Sequence, residues 1–359
     1  MKILKRSRHN IPWRCALKAA IYYSPEDIRV EDIPKPQVGP GDLLVEMRAC
    51  GLCGSDLMDW YLKDRAPLVL GHEPAGIVVE VGSNVEGFEV GDRVFAHHHV
   101  ACLNCHYCRH GDYTLCERFR ETHLDPGGFS DYFRVPEENL LIDTLKIPEE
   151  LTFEEATLIE PTACCIKGLR EAGLQPGDSV VVVGAGPTGL ILLELAKTFG
   201  AAELFVTDLV DYRLKFAESL GASLALNPSR EDPVKAVKER TEGRGANVVV
   251  VTAPNLRALE SGLDLCRKGG TLCVFAPTPP EVYLKLSPYK IFFSELRIVG
   301  SYSTSHLETR MALDLMRSHR IEVKKLISHR FPLEEISEAF KLASTNKNCL
   351  KVVITRGGE

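Results

Sequence analysis

Residues 179–200 read SVVVVGAGPTGLILLELAKTFG, and this stretch narrows the possible folds more than any other. The β-branched run is too short and too rich in valine for a helix, and it suits a parallel strand covered on both faces. Gly184, Gly186 and Gly189 follow it as G-x-G-x-x-G, and an apolar helical stretch then runs to Gly200, a C-terminal stop. The spacing has a physical cause. Gly184 permits a tight turn, Gly186 lets the backbone approach a pyrophosphate, and Gly189 lets helix and strand pack closely, while the helix N-terminus offers its free N–H groups to the anion. Residues Gly184, Gly186, Pro187, Thr188 and Gly189 therefore read as a dinucleotide cradle; a purely structural turn of the same shape is the alternative. Asp208 ends the next strand, nineteen residues after Gly189. An acid there accepts hydrogen bonds from both adenosine ribose hydroxyls and repels a 2′-phosphate, so NAD is expected in preference to NADP. Arg213, on the following helix, reads as a solvated residue; turned towards the ribose it would shift that preference.

Strands and helices go on alternating from this point: ELFVTD, DYRLKFAESLGA, a strand near residues 222–226, a helix in PVKAVKER, then ANVVVVTA, GTLCVFA and ELRIVGS. Such alternation implies βαβ units and a doubly wound parallel sheet of Rossmann type over residues 166–304. Between Lys18 and about Leu141 the pattern is different. LLVEMRAC, AGIVVEVG and GDRVFAH are short valine-rich runs bounded by Gly, Pro and Asp, as in an all-β module with tight turns. After about Ser305 come two helices and a last strand, LKVVITR. The expected class is α/β, with residues 18–165 and 305–359 forming the β-rich domain and residues 1–17 a basic extension. That extension lacks the apolar core of a secretory signal.

Composition excludes several roles. A net charge of −6 creates no basic field for nucleic acid. No run of about 18 apolar residues exists to span a membrane. Four of the twelve cysteines crowd together and the rest are scattered or adjacent, which suits metal binding in a reducing, cytoplasmic setting better than a disulfide framework.

Those four, Cys102, Cys105, Cys108 and Cys116, are three, three and eight residues apart. Compact spacing on a loop lets four thiolates converge on Zn²⁺, and an all-cysteine set leaves no open position for substrate. The cluster therefore reads as a closed structural site, with free thiols as the alternative. Chemistry must come from elsewhere. ACGLCGSD contributes Cys53, Ser55 and Asp56, LGHEPAG contributes His72 and Glu73, and LIEPTACC contributes Glu160. One thiolate, one imidazole and one carboxylate make a three-ligand zinc site with room for water or an alcohol. Singly, Cys53 and His72 also suit ordinary core positions; their joint presence with the cysteine loop and the glycine loop is what carries the reading.

The order CGSD, GHE, four-cysteine loop, an acid before the second domain, and GAGPTG resembles the zinc-dependent alcohol dehydrogenases of the medium-chain dehydrogenase/reductase superfamily, from Lys18 to the C-terminus. The resemblance implies a GroES-like catalytic domain with a Rossmann domain, two zinc ions per chain, and a homodimer or homotetramer. It implies Cys53 and His72 as catalytic-zinc ligands, and Glu73 as a ligand or a neighbouring carboxylate that exchanges with bound water. Glu160 stands where the polyol branch carries the same acid. Asp56 would hold the other nitrogen of His72, and Ser55 would accept the alcohol proton and relay it towards the ribose. Many relatives carry a histidine a few residues after the relay hydroxyl; here Met58 is near that place. His97–His99, just before the cysteine loop, read as exposed strand-end residues. Asp59 and Trp60 are expected at the pocket border, with Asp59 facing solvent. The implied activity is hydride transfer between NAD and a secondary alcohol, polyol-like or an amino alcohol. A threonine 3-dehydrogenase-like or simple alcohol dehydrogenase is the nearest alternative, and a zinc-free quinone or enone reductase or a non-enzymatic zinc-binding module the more distant ones.

Overall fold

The computed structural model describes residues 16–356. Most of the expected basic extension, residues 1–15, lies outside them. The chain divides into two compact units: one holds the chain up to Glu160 with Ser305–Arg317 and the chain from Val323 on, the other holds Pro161–Thr304 and Ser318–Glu322. The expected boundary at residues 165/166 falls within the helix Ile159–Glu171, and the units part earlier on that helix, after Glu160.

The first unit is built from β1 (Ala16–Ser24), β2 (Asp27–Pro34), β3 (Leu43–Leu52), β4 (Leu68–Val69), β5 (Glu73–Val81), β6 (Arg93–Ala96), β7 (Tyr132–Val135) and β8 (Thr144–Lys146). The second contributes β9 (Ser179–Val183), β10 (Glu203–Thr207), β11 (Leu224–Leu226), β12 (Ala246–Val251), β13 (Cys266–Val274) and β14 (Arg297–Gly300). The chain then returns to the first unit for β15 (Ile327–Pro332) and β16 (Lys351–Thr355).

In the first unit β1 pairs with β2 and β4, and the larger sheet runs β15-β16-β3-β5-β6-β8, with β7 also on β3. Val45, Met47, Val78, Val94, Phe133, Val352 and Ile354 pack into one core beneath it. Each such side chain, fully buried, contributes about 1.5–3 kcal/mol of transfer free energy. Topology matters more for function. β16 and β5 flank β3, each antiparallel to it, β6 is antiparallel to β5 and β8 to β6. The C-terminal end of β3, the N-terminal ends of β16 and β5, the C-terminal end of β6 and the N-terminal end of β8 therefore share one rim.

The second unit is a parallel sheet in the order β11-β10-β9-β12-β13-β14. All five residues of β9 are buried, as the valine run demands. The strand order reverses at β9, which places the glycine loop at the switch point where open α/β sheets receive ligands. The expected alternation holds through the helices Pro187–Thr198, Asp211–Ser219 and Pro233–Arg240. β11 starts at Leu224 rather than residue 222, and the helix Leu256–Leu265 and the strand β15 were not expected.

Candidate metal centre and nucleotide loop

The shared rim collects the chemistry of the first unit. Cys53 directly follows β3, His72 directly precedes β5, and Glu73 is the first residue of β5. Gly51 and Glu73 face each other in the β3–β5 register, so the antiparallel pairing alone brings CGLC against GHE. One ligand atom from each of Cys53, His72 and Glu73 lies within 4.8 Å of the others. Glu160, expected beside Cys53 and His72, instead groups within 4.8 Å of His97 and His98. The carboxylate that closes on the thiol and the imidazole is Glu73.

Asp56 braces this corner. It is 2% exposed. Its Oδ2 accepts the Cys53 backbone N–H at 3.0 Å, and its Oδ1 lies 3.4 Å from Nδ1 of His72. One carboxylate thus fixes the backbone of one donor and the ring of another, leaving Nε2 of His72 to face a cation. Burial opposes charge on this imidazole, but Asp56 and Cys53 beside it hold the His72 pKa well above its ordinary value. Ser55 is half-buried in the turn Gly54–Leu57, between the two.

Sequence reading missed Lys351. Its Nζ bonds Oε2 of Glu73, and both residues are buried, Lys351 at 3% and Glu73 at 0% exposure. Burial lowers the lysine pKa, yet the Glu73 carboxylate more than offsets it and keeps the ammonium charged. Gly51 makes room for the pair: a Cβ there would stand 1.8 Å from Oε2 of Glu73 and 2.8 Å from Cε of Lys351. The available signal was a lysine opening an otherwise apolar strand, LKVVITR.

The cysteine loop closes on itself as its spacing suggests. All four sulfurs lie within 4.8 Å of one another. Cys105 and Cys108 Sγ are 3.5 Å apart, and the Cys102 N–H points at Cys116 Sγ at 3.3 Å. A tetrahedron with ~2.3 Å zinc–sulfur arms has edges of about 3.8 Å, so these unlinked thiols are spaced to hold one ion. The backbone N–H of Cys108 draws the Cys105 thiol down to about 6, whereas burial pushes Cys108 up to about 12.

In the second unit the glycine loop has the expected demands. Gly184 has φ +108°, and a Cβ on Gly189 would stand 1.9 Å from the Gly184 carbonyl oxygen. Over Gly186, by contrast, there is open space, so no protein atom forbids a side chain there. Gly186 caps the twelve-residue helix that begins at Pro187, with Thr188 in its first turn. Asp208 is held in place: Oδ2 accepts the Ala185 N–H at 2.7 Å and Oδ1 the Val210 N–H at 2.8 Å. Arg213 corrects its expected role as a solvated residue. Its side chain is 25% exposed and turns towards Asp208, Nη1 to Oδ2 at 3.9 Å.

One further expectation needs correction, while Asp59 is exposed as expected. His97 to His99 are not exposed: His97 has 0% exposure and the others are half-buried. They are drawn in because β6 ends at the rim, beneath the Thr122 segment that receives Nδ1 of His99. Burial, and then the neighbouring imidazoles, hold the His98 pKa well below its usual value. Asp59, though exposed, accepts the hydroxyl of buried Tyr22 at 3.2 Å, so one carboxylate oxygen is engaged inward. No helix among the described residues is long and apolar enough to cross a membrane.

Comparison with known proteins places these features together. Residues 39–149 match the alcohol dehydrogenase GroES-like domain family, and residues 187–318 the zinc-binding dehydrogenase family. Sorbitol dehydrogenase of Bacillus subtilis is 34% identical over 96% of this chain and 98% of its own. L-Threonine 3-dehydrogenase of Caldanaerobacter subterraneus subsp. tengcongensis is 34% identical over 91% of this chain and 94% of its own. The crystal structure of 2R,3R-butanediol dehydrogenase from Bacillus subtilis superposes with a TM-score of 0.84 at 30% identity, covering 95% of this chain and all (100%) of that one.

Proposed function

We propose that this chain, which belongs to the zinc-dependent alcohol dehydrogenase family of the medium-chain dehydrogenase/reductase superfamily, holds a catalytic zinc ion with Cys53, His72 and Glu73 and a structural one with Cys102, Cys105, Cys108 and Cys116. It is a zinc-dependent oxidoreductase that moves a hydride between a secondary alcohol and a nicotinamide dinucleotide. The observation that carries the residue assignment is the convergence of thiolate, imidazole and carboxylate at one rim, braced by Asp56. Zinc held there supplies Lewis acidity to an alcohol oxygen, and the nicotinamide supplies the two-electron acceptor. The chain's own residues do the rest. Asp56 keeps the His72 ring oriented, Lys351 restrains the Glu73 carboxylate that would hold the ion, and Ser55 Oγ accepts the proton given up by the substrate hydroxyl while passing its own towards the ribose hydroxyls. Glu160, the acid of the polyol branch, stays beside this group as a carboxylate available to it.

The substrate class is a secondary alcohol of polyol or amino-alcohol type, the chemistry that the names of the sorbitol, threonine and butanediol dehydrogenases share. A screen of NAD reduction over polyols, simple secondary alcohols and amino alcohols tests it; turnover confined to primary alcohols would overturn the assignment. Ser55→Ala should lower kcat about 10²–10⁴-fold while zinc content and NAD affinity stay unchanged, the usual worth of a positioned proton acceptor. A kcat within threefold of the parent would remove Ser55 from the relay.

NAD is the proposed cofactor, because Asp208 ends β10 with its carboxylate anchored against the glycine loop, where a 2′-phosphate would meet negative charge. Arg213 sits close enough to temper that repulsion without removing it. Asp208→Asn weakens one charge-assisted hydrogen bond, about 1.5 kcal/mol, so KM for NAD should rise roughly tenfold and the NAD-to-NADP ratio of kcat/KM should fall. An unchanged ratio would show that Asp208 does not read the ribose. A homodimer or homotetramer is proposed from the exposed aromatics Tyr289, Phe292 and Phe293, which share the short helix Pro288–Ser294 near the edge strand β14. None of the described cysteines forms a disulfide, which supports a reducing, cytoplasmic compartment.

A further inference from the structure

The rim continues past His72. His97 follows β6 and Asp143 precedes β8, and because those strands pair antiparallel the two residues meet: the His97 backbone N–H donates to the Asp143 carbonyl at 3.0 Å. Asn139 Nδ2 donates to the carbonyls of both His97 and His98, at 2.9 and 3.1 Å, and so fixes the backbone of the pair. Nδ1 of His97 then stands 3.0 Å from Oδ2 of Asp143, while Thr309 Oγ1 donates to Oδ1 of the same carboxylate at 2.6 Å. His97 and Asp143 are 0% and 1% exposed and Thr309 is 0% exposed. Both ring nitrogens of His97 are buried and meet no hydrogen-bond partner among the described residues, so Nδ1 has only its close charge contact with Asp143 and Nε2 is open to a cation. Nδ1 of His98 is buried and unpartnered as well. Leaving such groups unsatisfied is costly, so an ordered ion is a natural reason for them.

A ring nitrogen from each of His97 and His98 and a carboxylate oxygen of Glu160 lie within 4.8 Å of one another. Two imidazoles and one carboxylate are a known donor set for zinc and for open iron(II) sites. We infer that His97, His98 and Glu160 form a further cation position, free of thiolate, for a divalent first-row transition metal. It adjoins the Cys53–His72–Glu73 group, since the His98 and His72 rings are 5.0 Å apart between centroids. The two positions repeat one design: His72 is backed by Asp56 as His97 is backed by Asp143. This inference stands on residues outside the proposed catalytic trio and does not require it.

Elemental analysis tests it on the full-length protein as purified, before and after incubation with excess Co²⁺ alone and desalting. The loaded protein should hold three cations per chain. His98→Ala should hold two, Cys53→Ala two, and the double variant one, the ion of the cysteine loop. Retention of that last ion shows that each variant is folded, and His98→Asn repeats the test with a smaller change of shape. A loaded parent with only two cations per chain overturns the inference, as does a His98 variant that holds as many as the parent. Failure of the catalytic assignment has a different readout, namely Cys53→Ala retaining turnover.

Discussion

His72→Ala should reduce kcat/KM by about a thousandfold or more and remove one zinc ion per chain while leaving the zinc of the cysteine loop in place. Lewis-acid stabilisation of developing oxygen charge is worth several kcal/mol, and about 4 kcal/mol corresponds to three decades in rate. The histidine is the natural residue to remove because Asp56 Oδ1 stands 3.4 Å from its Nδ1 and holds that ring. Steady-state kinetics with elemental analysis on the same preparation checks both halves. Activity within tenfold of the parent, with unchanged metal content, would mean that the rim holds no catalytic ion and that the chemistry must be sought elsewhere.

Lys351→Met should lower conformational stability by about 3–5 kcal/mol, the range expected when one partner of a buried ion pair is removed and the other charge is left uncompensated. Glu73 is 0% exposed and its Oε1 meets no hydrogen-bond partner, so without the ammonium it has little else to lean on. Adding Glu73→Gln to the lysine variant should recover most of the loss, because the charge that made the site costly is then gone. Urea denaturation midpoints of the parent, single and double variants measure the effect. With the protein made metal-free, a single-variant loss below about 1 kcal/mol would mean that water compensates Glu73, and the pair would not be the brace described above.

Much of the second unit was legible because its signals are local. A buried valine run, three glycines at fixed offsets and an acid at the next strand end are all set within thirty residues, and the interactions they encode, a tight turn and a helix terminus, are local too. The cysteine loop is legible for the same reason: four donors in fifteen residues have few ways not to meet. The role of Arg213 was misread because a helix position says which residues share a face, not whether a long side chain folds back upon the preceding strand. Strand β15 escaped notice since ISHRFP carries polar residues at its centre and draws its support from parallel pairing with β16.

The amino-acid sequence by itself determined the parallel sheet with its glycine turn, the closed cysteine site, and the identity of Cys53 and His72 as candidate donors. Tertiary structure alone decided how they are supported: Lys351 from nearly three hundred residues away as the counter-ion of Glu73, and Asp143 with Thr309 behind a buried His97. The reason is topological. Periodicity tells which face of a strand is buried, but only antiparallel pairing of β16, β3, β5, β6 and β8 puts five distant chain segments on one rim, where charges separated in sequence have to balance one another out of water.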